Sequence, residues 1–182
     1  MARSVRMGDL AAIFQRIGEV VRDAEDAEAA WITLLAEMGQ GSNPGLTELA
    51  ITSDVDDLRR QLISTFRSSP FNDEVRFFYF GLFDKPQGFG YYVSGYQEPD
   101  AHHAISTARP PVYLPPNRFL TSRVLARIHS QTTLATQEHR EVLAYAATLG
   151  AAAIVTRFAM LNIRPSRPVY AGFDSGDFLR VL

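Results

Sequence analysis

The sequence contains no cysteine. That excludes disulfides, thiolate metal sites and cysteine nucleophiles. Lysine is almost missing too: every basic residue except Lys85 is arginine. Long apolar runs are lacking. The longest, near residues 149–155, is far shorter than the roughly 20 residues a membrane helix needs. Gln15, Arg16 and Glu19 interrupt the N-terminal apolar residues, so no secretory signal is read there. A cytoplasmic location and no membrane partner are the resulting expectations. Catalytic and cofactor signatures are also missing. There is no G-x-S-x-G elbow and no H-E-x-x-H. The glycines at 81, 88 and 90 open no helix and lack phosphate-loop spacing. No cofactor is implied. Arginines are plentiful after residue 100, but no helix-turn-helix, RNA-recognition or zinc-finger pattern accompanies them. Nucleic-acid binding is therefore not expected.

What is present suits one α+β domain. A chain of 182 residues can bury a sizeable single core. Its centre is residues 75–96, VRFFYFGLFDKPQGFGYYVSGY. Aromatic and β-branched residues favour a pleated, packed surface. Alternation places Val75, Phe77, Tyr79 and Phe83 on one face and Phe78, Phe80 and Leu82 on the other. Both faces are apolar, which predicts a central strand covered on both sides. The segment 84–88, DKPQG, is turn chemistry, so 75–96 reads as a hairpin. A second hairpin is expected at 169–182, turning through Asp174-Ser175-Gly176-Asp177 with Gly176 at positive φ.

Helical spacing fills most of the rest. Ile13, Phe14, Ile17, Val20 and Val21 mark a helix over about residues 8–22. Ala30, Trp31, Leu34 and Leu35 repeat the pattern, so either two helices meet at Asp23 to Asp26 or one long helix is kinked there. Together they make an N-terminal helical section over about 8–38. Residues 39–45 form a loop, and 46–51 fit either a strand or a helical turn. Ser53 and Asp56 suggest a capping-box start for a helix lined by Val55, Leu58, Leu62 and Phe66. Two Pro-Pro pairs preclude regular structure through most of the stretch after Tyr96. Pro116 suits the first turn of a helix bearing Leu120, Val124, Leu125 and Ile128. Thr136 caps the last helix, which Gly150 either interrupts or sits within. The expected architecture is a mostly antiparallel sheet, built on two hairpins and packed by five or six helices.

Two places hold candidate chemistry. The first is the 97–115 loop with Glu98, Asp100, His102, His103 and Arg109. In an extended segment Glu98, Asp100 and His102 project to one side, and imidazole plus carboxylates can bind zinc or manganese. The spacing matches no established metal motif, and solvent-exposed loop histidines are the plainer reading. His102 or His103 could also serve as an acid–base group. His129 and His139 fall on helices with no nucleophile beside them. The second place is the turn carrying Asp174 and Asp177, whose spacing is not that of a calcium loop. A plain hairpin turn explains it.

Charge is uneven. Residues 1–99 hold 15 acids and 9 bases; residues 100–182 hold 5 acids and 9 bases. Such asymmetry reflects either two halves packing on each other or a basic face for an anionic partner.

The segments FGLFD, GYYVSGY and YLPP, with the closing Gly172-Phe173-Asp174-Ser175-Gly176-Asp177, resemble small bacterial immunity proteins of polymorphic toxin systems. The resemblance covers about residues 75–182. It departs from that pattern after GYYVSGY, where the chain reads QEPDAHH rather than an acidic, tryptophan-containing segment. The resemblance implies a non-enzymatic protein-binding module that neutralises a cognate, toxin-like protein partner. The alternative expectation is a small enzyme or ligand-binding protein using the 97–115 loop. The two differ in whether that loop lines a concave pocket.

Overall fold

A computed structural model describes residues 10–85, 88–106, 108–132, 137–163, 166–174 and 176–182. It is an α+β fold with a five-stranded mixed sheet in the order β3-β2-β1-β4-β5. Strands β1 (Phe77–Lys85) and β2 (Gly88–Tyr96) form the expected antiparallel hairpin. Pro86 and Gln87 of the turn lie outside the described residues. Strands β4 (Val169–Phe173) and β5 (Phe178–Arg180) form the second antiparallel hairpin, and Gly176 has φ 106°. Ser175 lies outside the described residues. The two hairpins join through a parallel β1–β4 pairing, Phe78 opposite Val169. A two-residue strand, β3 (Phe119–Leu120), pairs antiparallel with β2.

Alternation along β1 sorts the sheet into two faces. Phe78, Phe80 and Leu82 join Tyr91, Val93, Val169 and Ala171 in the main core. Phe77 and Tyr79 point the other way and pack with Tyr96 and Phe178. Val75 was expected with Phe77, but it belongs to the main core. It precedes the strand, which begins only at Phe77, so the two-residue period does not reach it.

The inner face is covered by helices. Helix α1 (Leu10–Asp23) and α2 (Ala27–Glu37) meet where the acids predicted, and Asp26 caps α2 by accepting from Ala29 N at 2.7 Å. Trp31 is fully buried and donates Nε1–H to Leu46 O at 2.9 Å. Leu46 sits in the short helix α3 (Pro44–Thr47), which resolves the ambiguous 46–51 segment. Helix α4 (Ile51–Ser68) starts before the expected Ser53, with no side-chain cap. Burial of Ile51 in the core extends the helix past the polar cap signal.

Helix α7 (Gln137–Ile163) is the hub, touching α1, α2, α4, α6 (Arg123–Thr132) and β4. Thr136, its expected cap, lies outside the described residues. The helix runs unbroken through Gly150, where a Cβ would collide with Leu34 Cδ2. Glycine there lets α2 and α7 approach closely. Residues 142–163 are long and apolar enough to cross a membrane, which the short 149–155 run did not suggest. Two-thirds of that stretch is buried against the fold, as in a core helix.

Helix α6 corrects a second boundary. It begins at Arg123, not at Pro116, because Phe119 and Leu120 are taken by pairing with β2. Its start is built from two elements. Ser122 Oγ accepts from Leu125 N at 3.0 Å, and Ser122 donates to Asp54 Oδ2 at 2.6 Å. Asp54 Oδ1 also accepts from Arg123 N at 2.9 Å. Asp54 is buried on α4, so one carboxylate staples α4 to the α6 N-terminus. Burial raises its pKa, and the bonds to Ser122 and Arg123 oppose that. Replacing Asp54 with Ala strands the Ser122 hydroxyl and the Arg123 amide. We expect Asp54→Ala to lose about 2–3 kcal/mol of unfolding free energy in urea titration. A loss below about 0.5 kcal/mol contradicts this account.

The stretch after Tyr96 is more regular than its prolines suggest. It contains α5 (Ala101–Ser106), which ends in a Schellman pattern. Arg109 N donates to Ala104 O at 2.9 Å and Ala108 N to Ile105 O at 3.1 Å. Ala108 occupies the left-handed position, with φ 50°. That conformation costs an L-residue about 1–2 kcal/mol, more than glycine's added unfolded-state entropy. Ala108→Gly is therefore expected to stabilise the protein by about 0.5–1 kcal/mol, read as a rise in the melting midpoint.

Candidate functional site

The outer face of the sheet is where the fold leaves chemistry accessible. Register aligns Phe119 of β3 with Tyr92 of β2, and Tyr92 with Gly81 of β1. Gly81 in turn aligns with Gly172 of β4, and Gly172 with Phe178 of β5. Helix α5 lays Ala101, Ala104 and Ile105 on Phe77, Tyr79, Tyr96 and Phe178. It covers one end of the face only.

Along the edge of β2 that faces away from β1, a strip of apolar side chains stays open. Phe119 is 56% exposed, Leu114 49% and Val112 40%. Tyr113 bridges to Gly95 and turns inward to the core, so Val112 and Leu114 project outward beside it. The Phe83 ring stands 5.3 Å from that of Phe119, edge to face. The Arg118 guanidinium carbon lies 4.5 Å from the Phe119 ring centroid. Sequence reading missed Val112, Leu114, Arg118 and Phe119. The alternation in Val112-Tyr113-Leu114 was the available signal, hidden between two proline pairs.

Tyr92 anchors the strip to the far side of the sheet. Its ring crosses Gly81, where a Cβ would collide with Cζ, Cε1 and Oη. Its hydroxyl donates to Asp174 Oδ1. Burial pushes the Tyr79 and Tyr92 phenols far above their ordinary range, and the Asp174 carboxylate adds to the shift. Burial likewise raises Tyr96. These phenols stay protonated near neutral pH, and that of Tyr92 acts as a donor.

The residues singled out from the sequence separate in space. Asp100 Oδ1 accepts from His102 N at 2.9 Å and His103 N at 3.3 Å, which is a helix-start role. His102 and His103 are exposed on α5, not on an extended segment. Glu98 and Asp100 precede α5 and His102 lies in its first turn, so the two-residue alternation of an extended segment does not run through the three. The His102 ring sits 4.6 Å from that of Phe178. Glu98 is half-buried, and its Oε2 makes no hydrogen bond among the described residues. Arg109 is exposed beyond the α5 turn. Among the described residues no group of three or more His, Asp or Glu is arranged to hold a metal. His129 is exposed on α6; the side chain of His139 lies outside the described residues.

Asp174 accepts from the Tyr92 hydroxyl across the sheet. Asp177 is exposed, and its carboxylate, after burial, raises the Tyr145 phenol. An open cleft of about 820 Å³ lies elsewhere, lined by Asn72, Asp73, Glu74, Arg76, Gln97 and Pro99. Only the first residues of the 97–115 loop reach it, and neither histidine lines it. No protein family, curated protein or solved structure matches the chain.

The Gly81–Tyr92–Asp174 contact has a measurable signature. Gly81→Ala should displace the Tyr92 ring and cost about 1–3 kcal/mol, and Tyr92→Phe about 1–2 kcal/mol. Both substitutions act on one contact, so the double variant should lose clearly less than the sum. Additive losses in urea titration would refute the linkage.

Proposed function

We propose that the chain is a non-enzymatic protein-binding module, and that the strip of Val112, Leu114, Phe119, Phe83 and Tyr92 is its contact surface. The observation that carries this reading is the strip itself. Val112, Leu114 and Phe119 stand exposed along the β2 edge of the sheet, with an arginine laid on the Phe119 ring. Aromatic residues and arginine dominate the energetics of protein interfaces. A rigid sheet presents them with little ordering cost on binding. Contiguous exposed apolar surface marks interaction sites in soluble proteins.

The more specific form of the proposal is an immunity-like protein that binds and neutralises a cognate bacterial toxin inside the producing cell. Its support is the resemblance of the aromatic strands and closing hairpin to such proteins. The GFDSGD segment also lies beside the strip, through Asp174 and its bond to Tyr92. No observation favours an enzymatic role for His102 or His103, so that alternative is not carried further.

The test is affinity purification of the tagged chain from its source cells, in parallel with Phe119→Asp. The expected result is one stoichiometric protein retained by the wild type and lost from the variant. That protein should arrest growth when expressed alone and not when the chain is co-expressed. A partner held equally by both forms moves the contact surface elsewhere. A partner that is harmless alone removes the immunity reading.

A further inference from the structure

The strip lies in the most one-sided part of the chain. Residues 101–137 contain no aspartate or glutamate and four arginines, Arg109, Arg118, Arg123 and Arg127. Arg109, Arg123 and Arg127 are exposed and Arg118 is half-buried. The ion pairs among the described residues use Arg16, Arg59, Arg60 and Arg167 instead. Among the described residues, Arg109, Arg118, Arg123 and Arg127 form no ion pair with a carboxylate.

Chain connectivity brings two of them to the strip, while Arg123 and Arg127 lie on α6, whose apolar residues join the inner core. Arg109 precedes Val112 by three residues, Arg118 lies on Phe119, and Arg123 opens α6 directly after β3. Asp174 is engaged by the Tyr92 hydroxyl. The strip thus carries Arg118 on its outermost ring and Arg109 three residues from Val112.

We infer that the strip's partner is a protein surface with an apolar or aromatic centre and an acidic margin. The inference rests on the protein-binding reading and adds the chemistry of the partner. Opposite charge at an interface margin speeds encounter and rejects wrong partners. A second copy of the chain would set these arginines against each other. A single-stranded nucleic acid would supply anionic charge and could stack on Phe119, but Val112 and Leu114 offer bases no such face and no RNA-recognition pattern accompanies the arginines. Asp174 would also stand against its phosphates. A strongly basic partner, of the kind that acts on nucleic acids, is disfavoured for the same electrostatic reason.

The experiment is selection of displayed random peptides on the full-length chain, with depletion on Phe119→Asp. Recovered peptides are then titrated against wild type and Arg118→Glu. The expected peptides combine Asp and Glu with Phe, Trp or Leu. Their affinity should fall about tenfold or more in Arg118→Glu, and should weaken as salt rises from about 0.05 to 0.5 M. Phe119 is exposed and Arg118 half-buried, and thermal melts matching the wild type establish that the variants fold. Peptides of neutral or basic composition overturn the inference, as does failure to recover any that discriminate wild type from Phe119→Asp. So does binding of oligo(dT) that Phe119→Asp abolishes, which assigns the strip to nucleic acid. If the cellular partner still depends on Phe119 while the peptides carry no acidic bias, the docking surface stands and its charge preference falls.

Discussion

Strand β1 must satisfy hydrogen bonds on both edges and bury side chains on both faces. The other elements meet one of these four demands each. β2 takes one edge antiparallel and β4 takes the other parallel. The helical layer around α7 covers the inner face, and α5 covers part of the outer one. Because the outer cover is short, the rest of that face becomes surface. The strip is thus a by-product of how a six-residue helix sits on a sheet of this width.

Much of this was legible from residues 75–96 and 169–182. Period-two alternation of bulky side chains is a strong signal, and it identified β1, β2, β4, β5 and the turn at Gly176. The N-terminal helices were equally plain, since Asp23 and Asp26 divide two apolar stripes. Boundaries set by tertiary contacts were not legible. Local logic favoured Pro116 as a helix start, but pairing to β2 captured Phe119 and Leu120 first. The real cap of α6 draws on Asp54, a residue 69 positions before Arg123 that no local pattern could connect to it. Nor does alternation reveal that the two hairpins join in parallel.

The candidate residues show the same division. Composition drew attention to the paired histidines and their acidic neighbours. The fold spends Asp100 on starting α5 and leaves His102 lying on Phe178. Asp174 looked like simple turn chemistry, yet it holds Tyr92 across a glycine that only the sheet register brings beneath it. Phe119 and Leu114 carried no motif at all. Their significance comes from what fails to cover them, and a sequence does not record that.

The parallel join has a consequence for how the chain reaches this state. Phe78 finds its partner Val169 only 91 residues later. During synthesis the β1–β2 hairpin leaves the ribosome long before the strand that seals its open edge. Until then it presents unpaired backbone flanked by phenylalanines, the kind of edge that recruits other chains. A nascent chain of this protein is thus a natural client for chaperones, and release of its last strands is the step that ends that dependence.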